Sequence, residues 1–380
     1  MRGRSPPSLR RGGRAPHGAG GAGRGIYGVG LPIRSPGPGA AQVRGAGPAL
    51  GPGGEFDRIR NILRDLPPQP GSRVGPGDDA AVLSDGVVLS TDLTVEGVHF
   101  RLDWISPEEA GGRAVVAALS DLAAMAAEPI GVLVSLAVPE AGPGPEPFMA
   151  GVRERIDEMG IPLLGGDLTR SPGPVILDAV VVGRVESPLL RAGARPGDAL
   201  WVTGTLGGAA AAVAAWTSDG VPHPEFRERF ARPRARIPEA RWLRERCALS
   251  AGLDLSDGLA GDAAHLAAAS GVGVLLRGGT LPVHPRFREG KADGDGSGAL
   301  ECALHGGEDY ELLLAAPQGE MEPWVEEFRR SFDLSLTRVG EVMAGEGVWI
   351  LHGDNEEPMR VERGGWDHFR GMPWESGGEG

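Results

Sequence analysis

The stretch Val87-Val88-Leu89-Ser90-Thr91-Asp92 predicts a strand around which the rest of this chain is arranged. An apolar run of this kind, rich in valine, is typical of a buried β-strand. The run ends in two hydroxyl groups and a carboxylate, so we expect the strand to present oxygen ligands at its tip. The chain then continues through Leu93–Phe100, which contains His99.

Four further places present acidic residues beside glycine or other small residues. They are Gly75–Asp79, Leu119–Asp121, Gly165–Asp167 and Asp254–Gly258. Carboxylates this dispersed in sequence make chemical sense if they converge on hard cations in the fold. Mg²⁺ binds about six oxygen atoms and usually keeps waters and substrate phosphates among its ligands. The pattern therefore predicts a site for hard divalent cations such as Mg²⁺.

The length and charge of the chain narrow the class of protein. A chain of 380 residues is long enough for two domains and a large core. The first 54 residues carry eight Arg and no Asp, Glu or Lys, so removing them changes the net charge from −13 to −21. Residues 55–380 are too acidic to bind nucleic acid well, and they repel free polyphosphate. We therefore expect any nucleotide to bind together with metal.

The cysteine content and the apolar runs indicate where the protein works. The two cysteines, Cys247 and Cys302, lie in unrelated contexts. This excludes a disulfide framework and a thiolate zinc site, and it suits a reducing cytoplasm. No apolar run reaches the roughly 18 residues that a membrane helix needs. We therefore expect a cytoplasmic protein with no membrane partner.

Composition and periodicity divide the chain into segments. The first 54 residues are a low-complexity Gly/Pro/Arg/Ala segment, which predicts a disordered extension. Strand and helix patterns alternate after it, which favours α/β or α+β layers in both halves. The turn-rich segment Arg191–Asp198 predicts a domain boundary. The expected segments are 1–54 (extension), 55–190 (N-terminal domain), 191–350 (C-terminal domain) and 351–380 (terminal segment).

Three positions allow a structural as well as a functional interpretation. Ser106–Glu109 has the capping-box pattern of a helix start. In that helix, Asp121 is either a metal ligand or a partner in a helix–helix hydrogen bond. Ser256 or Asp257 is either a ligand or the N-cap of the next helix. The turn at Gly204–Gly208 is either a phosphate cradle or a tight crossover.

Six short motifs follow one another in a fixed order. They are Gly75–Ala81, Ser90–Asp92 with Glu96–Phe100, Leu119–Met125, Gly165–Arg170, Asp254–Leu259 and Gly306–Leu312. Each motif is weak alone, but their order is specific, and the chain resembles the thiamine-monophosphate kinases. This family belongs to the superfamily of aminoimidazole ribonucleotide synthetase. The resemblance covers about residues 55–345 and the segment Gly364–Phe369.

The resemblance implies a fold and an activity. The fold is α/β (α+β) and of the two-domain, PurM-like type, with an N-terminal ATP- and metal-binding domain that pairs as a homodimer. The activity is ATP-dependent phosphorylation of thiamine monophosphate to thiamine diphosphate, by direct in-line transfer with several Mg²⁺ ions. The implied metal positions are Asp79, Ser90, Thr91, Asp92, Asp121, Asp167, Asp254 and Asp257. The implied ATP positions are Gly166, Arg191 and Ser256, and the implied substrate positions are His99, Glu308 and Trp366.

The chain departs from the family pattern at two places, and three other functions remain as alternatives to the kinase. Ala117-Ala118 stands where the family often has a polar residue, which puts a supporting hydrogen bond in doubt, and the Arg-rich extension has no family counterpart. The alternatives are another ATP-using member of the superfamily, a Mg²⁺-dependent phosphohydrolase and a non-catalytic nucleotide-binding protein. ADP release that depends on thiamine monophosphate separates them from the kinase.

Overall fold

The computed structural model describes residues 54–64, 66–67, 69–289, 297–353, 356–362 and 365. These residues form two β-sheets with helices packed against them. The interpretation of residues 1–54 as a disordered extension concerns residues outside this set, except for Gly54, which begins the first helix.

The first sheet contains six strands from the N-terminal half. They are β1 (Ser72–Val74), β2 (Ala81–Leu83), β3 (Val87–Val95), β4 (Glu128–Val138), β5 (Leu163–Arg170) and β6 (Ile176–Arg184). Their order across the sheet is β1-β2-β3-β6-β4-β5. Neighbouring strands are antiparallel, apart from the parallel pair β4 and β5. The strand β5 therefore forms one edge of the sheet.

The predicted oxygen ligands Ser90, Thr91 and Asp92 are not at the end of their strand, contrary to the expectation from the sequence. The predicted strand ended at Asp92, whereas β3 runs on to Val95 because Leu93–Val95 continue the hydrogen-bonded ladder with β6. Ser90, Thr91 and Asp92 therefore lie in the middle of the strand. On the side away from β6, β3 pairs with β2 only through Val88 and Leu89. Among the described residues, no strand pairs with β3 beyond Leu89 on that side.

The helices of the first half are α1 (Gly54–Leu63), α2 (Pro107–Ala124) and α3 (Pro145–Glu158). The predicted capping box is confirmed at the start of α2. The hydroxyl of Ser106 accepts the N–H of Glu109, and the carboxylate of Glu109 accepts the N–H of Ser106. Fourteen of the 18 residues of α2 are buried, so α2 is a core helix and not an amphipathic surface helix.

Two glycines determine how deeply α2 is buried. A Cβ atom at Gly111 would lie 2.0 Å from the carbonyl oxygen of Phe148 in α3. A Cβ atom at Gly151 of α3 would lie 1.7 Å from the carbonyl oxygen of Glu108 in α2. Both distances are far below contact range, so only glycine permits this close crossing.

The second sheet contains seven strands from the C-terminal half. They are β7 (Ala199–Thr203), β8 (Ala251–Leu255), β9 (Gly273–Arg277), β10 (Glu311–Ala316), β11 (Leu336–Met343), β12 (Gly347–Leu351) and β13 (Met359–Arg360). Their order is β13-β12-β9-β11-β7-β10-β8. Because β12 ends at Leu351 and β13 follows it, this sheet extends past the boundary that the sequence predicted at residue 350.

The helices of the second half cover this sheet and connect its strands. They are α4 (Gly208–Thr217), α5 (Pro224–Ala231), α6 (Ile237–Arg246), α7 (Leu259–Ser270), α8 (Arg286–Glu289), α9 (Ser297–His305) and α10 (Val325–Phe332), with 3-10 turns at Gly278–Thr280 and Glu322–Trp324. None of the described helices combines the length and the apolar character that crossing a bilayer requires.

One hydrophobic core is shared by the two halves. Val115, Leu119 and Leu122 of α2 belong to the same buried cluster as Leu312 and Leu314 of β10. The helix α2 also contacts β3 and β6 of the first sheet, and β8 and α6 of the second half. It therefore lies between the two sheets, and polar side chains on α2 can meet residues from both.

Candidate active site

Three carboxylates from distant parts of the chain lie together beside α2. Asp79 precedes β2, Asp121 lies near the end of α2, and Asp254 is on β8. One oxygen of each lies within 4.8 Å of the others, and Asp79 and Asp254 are buried. Like charges at this separation repel strongly when water is largely excluded. The arrangement is therefore costly unless a cation or a proton compensates it.

Neighbouring polar groups orient these carboxylates. The hydroxyl of Ser90 donates to Asp121, and that of Ser120 donates to Asp254 at 2.6 Å. Arg191 donates through Nε and a terminal nitrogen to one oxygen of Asp79, at 3.0 and 2.6 Å. The other oxygen, Oδ2, is buried and accepts no hydrogen bond from the described residues.

The surroundings favour the protonated form of several of these acids. Burial, followed by repulsion from neighbouring carboxylates, raises the pKa of Asp121 well above its ordinary range. Burial and the charge of Asp79 raise the pKa of Asp254 to about 7. Burial and the charge of Glu308 raise the pKa of Asp92 to about 6. An unpartnered buried oxygen and raised pKa values together fit a set of oxygen donors for hard divalent cations.

A cleft of about 540 Å³ adjoins the acidic cluster. Six carboxylate residues line it: Asp92, Asp121, Asp254, Asp257, Glu301 and Glu308. Such a volume is in the range of pockets that bind small molecules. The acidic cluster is therefore accessible to a ligand from this side.

Aromatic rings form another part of the cleft wall. Trp104 and Phe230 line the cleft. The ring of Trp104 stacks on Trp216 with centroids 5.0 Å apart, and Phe230 packs edge-on against Trp216 at 5.3 Å. The cleft thus combines anionic oxygens with an aromatic surface, which suits a ligand that has both phosphate and heterocyclic parts.

The loop after β8 contributes Ser256 and Asp257 to the cleft. The N-cap of α7 is Gly258, which has φ of 103° and no side-chain cap, so the interpretation of Ser256 or Asp257 as the cap is wrong. Burial and the charge of Glu55 raise the pKa of Asp257 to about 7. The backbone N–H of Asp257 donates to the buried carboxylate of Asp262 at 3.2 Å.

The turn before α4 is occupied by an internal carboxylate. The N–H of Gly207, where φ is 83°, donates to both oxygens of buried Asp309, at 3.1 and 2.9 Å. Because the N–H of Gly207 already donates to Asp309, it is not available to a phosphate. The turn therefore fits a tight crossover better than a phosphate cradle.

Some of the predicted metal residues lie on the other face of the first sheet. Asp167 on β5 is opposite Ser135 on β4, which is opposite Asp178 on β6. Directly opposed residues share a face, and the hydroxyl of Thr91 donates to Asp178 at 2.6 Å. The described chain therefore does not bring Asp167 to the cluster, although Thr91 also lines the cleft.

Gly166, a predicted ATP residue, lies beside Asp167 on β5. A Cβ atom there would lie 1.9 Å from the carbonyl oxygen of Val134 on β4. The close approach of the two strands therefore requires glycine at this position, whatever it binds.

Two of the three predicted substrate residues line the cleft. Nδ1 of His99 accepts the N–H of Val95 at 3.0 Å, and Glu308 pairs with Arg113. Trp366 lies outside the described residues.

Sequence reasoning missed several residues around the site. Ser120 was not singled out, although it is adjacent to Asp121 in a quoted motif. Arg113 was also missed, and the available signal was its spacing, because Arg113, Ala117 and Asp121 recur every four residues on one helix face. Asp262 carried no sequence signal beyond a lone acid in an alanine-rich helix.

Comparison with known proteins gives consistent results. Residues 77–185 match the family model of the AIR synthase related protein, N-terminal domain. The thiamine-monophosphate kinase of Aquifex aeolicus is 33% identical over 325 residues, which cover 83% of this chain and 98% of the relative. That of Salmonella typhimurium is 34% identical over 330 residues, covering 83% and 95%.

The solved structures agree with the sequence relatives. The structure described as AaThiL complexed with AMPPCP and TMP is 32% identical and has a TM-score of 0.69. It covers 83% of this chain and 96% of that one. By identity and coverage, the chain belongs to the thiamine-monophosphate kinase family.

Proposed function

We propose that this chain transfers the γ-phosphoryl group of ATP to thiamine monophosphate and releases thiamine diphosphate and ADP. This is the last step in making thiamine diphosphate. The observation that carries the proposal is the convergence of Asp79, Asp121 and Asp254 beside a cleft with an aromatic wall. Family membership supports the same reaction, as does the relative solved with AMPPCP and TMP.

The acidic cluster is proposed to hold several Mg²⁺ ions. Bound there, Mg²⁺ would supply charge neutralisation for the triphosphate and for the phosphoryl group in transfer. Asp79, Asp121 and Asp254 provide the central oxygens, while Ser90, Asp92 and Asp257 extend the set along the cleft. Thr91 and Asp167 are proposed as Mg²⁺ ligands outside this cluster, because they lie on the opposite face of the first sheet.

The chain needs no strong general base for this reaction. The second pKa of a phosphate monoester is about 6, so the phosphate of the acceptor is already largely ionised at neutral pH. One of its oxygens forms the new bond to the γ-phosphorus while the bond from that phosphorus to the β-phosphate oxygen breaks. The chain's task is to align two anions, and Arg191 supplies a fixed positive charge beside Asp79.

ATP and thiamine are proposed to bind through different parts of the site. Gly166, Arg191 and Ser256 are the proposed ATP residues. His99, Glu308 and Trp366 are the proposed residues for the substrate. The aromatic wall at Trp104 and Phe230 suits a thiazolium ring, because aromatic faces attract cations by about 0.5–2 kcal/mol.

The first sheet is proposed to pair with a second copy of the chain. All eight residues of β5 are exposed, including Leu164 and Leu168 at 51% and 59%. Leu93 on β3 is 54% exposed as well. Exposed apolar residues concentrated on one sheet are typical of an interface. An exposed edge strand of this kind also tends to pair with another chain.

We also propose where the chain divides into two domains and that it works in the cytoplasm. We propose that the two domains meet near residue 190, between the end of β6 and the start of β7, and limited proteolysis between residues 185 and 198 would support this. The two cysteines, Cys247 and Cys302, form no disulfide with each other, which suits a reducing cytoplasm.

The reaction can be tested by measuring ADP release. We expect release that depends on thiamine monophosphate, and the label of γ-³²P-ATP should appear in thiamine diphosphate. Release of ADP without any acceptor would indicate a phosphohydrolase. Label trapped on the protein would exclude direct transfer.

Substitution of Asp92 tests the acidic site. Asp92→Asn should lower kcat about 100-fold or more, because a group that stabilises transferred charge is lost. Asp85→Asn is the matched control, since Asp85 lies in the turn before β3 and accepts the N–H of Val87. Normal turnover in Asp92→Asn would remove this residue from the mechanism.

The raised pKa values predict how pH affects the metal-free protein. The pKa of Asp254 is about 7 in the folded chain against 3.8 ordinarily, so between these values the folded state binds more protons than the unfolded state. The free energy of unfolding should therefore fall as pH rises through about 7. Melting temperatures measured in EDTA at pH 6 and pH 8 test the direction.

Magnesium should reverse this loss at pH 8. At a free concentration of about 100 times Kd the gain is about 2.7 kcal/mol, which corresponds to roughly 4 °C for a chain of this size. Asp121→Asn should raise the melting temperature of the metal-free protein, since one buried charge is removed, and abolish the gain from Mg²⁺. Equal gains in the variant and the parent would contradict the site.

The proposed pairing can be tested by sedimentation velocity. The parent chain should sediment as a dimer, and Leu168→Glu should shift it towards monomer because a charge is placed in the apolar contact. Val221→Glu is the control, since Val221 is 93% exposed and lies in the loop before α5. A parent chain that is monomeric at all concentrations would refute the pairing.

A further inference from the structure

Arg113 is a buried cation near the middle of the molecule. It lies on α2, and its side chain is 2% exposed. Removing a guanidinium from water is costly unless its charge and its donors are satisfied. The partners that satisfy Arg113 therefore indicate what the residue is for.

One partner is Glu308, which comes from the other half of the chain. Arg113 donates to Oε2 of Glu308 across 195 positions of sequence. The hydroxyl of Tyr310 donates to the same oxygen at 2.7 Å. Among the described residues, the side-chain donors to this carboxylate converge on Oε2, so the group is restrained while Oε1 remains available. Glu308 lines the cleft, and its side chain is 29% exposed.

The backbone that carries Glu308 is unusual. Glu308 and Tyr310 have φ of 68° and 51°, in the left-handed region that residues with a Cβ atom seldom adopt. Their N–H groups donate to the carbonyl oxygens of Ser256 and Leu255, both at 2.8 Å. Such a conformation persists only where its surroundings hold it. The ion pair with Arg113 of α2 helps to hold this loop.

The other partner of Arg113 is Phe230, in the aromatic wall. The guanidinium lies over the Phe230 ring with Cζ 3.9 Å from the centroid, and it donates to the Phe230 carbonyl oxygen at 2.6 Å. Phe230 in turn packs edge-on against Trp104, with centroids 6.3 Å apart. One cation therefore holds both a carboxylate and an aromatic ring that line the same cleft.

We propose that Arg113 is a positioning residue for the substrate, with Tyr310 as its partner. It fixes the Glu308 carboxylate and the Phe230 ring beside the part of the cleft that would receive the two heterocycles of thiamine monophosphate, a neutral aminopyrimidine ring and a cationic thiazolium ring. The oxygen Oε1 of Glu308 accepts a hydrogen bond from the amino group of the pyrimidine ring, and the aromatic wall packs against the thiazolium ring. This inference rests on the proposed function, because it assigns residues to the same substrate.

Kinetics of three variants test the inference. Arg113→Met should raise KM for thiamine monophosphate roughly 10-fold or more, because a charged hydrogen bond that restrains Glu308 is lost. KM for ATP should stay within about twofold, since the proposed ATP residues are untouched. Tyr310→Phe, which keeps the ring and removes one donor, should raise the same KM by roughly 3–10-fold. This variant keeps the test available if Arg113→Met does not fold.

Arg232→Met is the matched control. Arg232 follows α5 and pairs with Glu154 of α3, also across the two halves of the chain, and neither residue lines the cleft. Its loss should lower the melting temperature without changing KM for thiamine monophosphate. A rise of this KM in Arg232→Met equal to that in Arg113→Met would overturn the inference, because loss of interface stability would explain both.

A double-mutant cycle with Glu308→Gln separates positioning from general damage. If Tyr310 acts through the carboxylate, adding Tyr310→Phe to Glu308→Gln should change KM for thiamine monophosphate much less than in the parent. Adding Arg113→Met to Glu308→Gln should keep only the part of its effect that acts through Phe230. Fully additive effects would overturn the inference while leaving the proposed function intact. A parent enzyme that does not turn over thiamine monophosphate would overturn the proposed function, and the inference with it.

Discussion

The main constraint on this structure is that it holds three mutually repelling carboxylates close together. Asp79, Asp121 and Asp254 meet within 4.8 Å beside a core helix, and burial raises the pKa values of Asp121 and Asp254. A fold optimised for stability alone would not bring them together, because each buried charge costs free energy. Among the described residues, this is the one group of three acids close enough to share a metal ion, and it lies next to the cleft. The Mg²⁺ ions that we propose would compensate its negative charge when they bind together with the phosphates.

The helix α2 makes this convergence possible. Small residues let it lie between two sheets, and the glycine crossing with α3 determines its depth. From that position Ser120 and Asp121 meet Asp254 of the second sheet, while Ser90 of the first sheet reaches Asp121. Arg113 on the same helix donates to both Glu308 and Phe230, two residues that line the cleft. One helix therefore links the acidic cluster to the surface proposed for the heterocycle.

The sequence predicted the local features of this fold better than its long-range contacts. The capping box at Ser106 follows from residues three apart, and the acidic motifs mark loops and strands by their own composition. The pair Arg113–Glu308 joins positions 195 residues apart, and no local pattern indicates it. The face on which Asp167 lies depends on strand register, where a shift of one residue reverses every side chain. The length of β3 was also wrong, because pairing with β6 extends the strand beyond its apolar run.

Diffraction at the manganese absorption edge tests the central claim most directly. Crystals grown with Mn²⁺ and a non-hydrolysable ATP analogue should show an anomalous peak at coordination distance from oxygens of Asp79, Asp121 and Asp254. Manganese is suitable because it accepts the same oxygen ligands as magnesium. Nucleotide bound in the cleft with no peak between these three carboxylates, or with every peak elsewhere, would contradict the account.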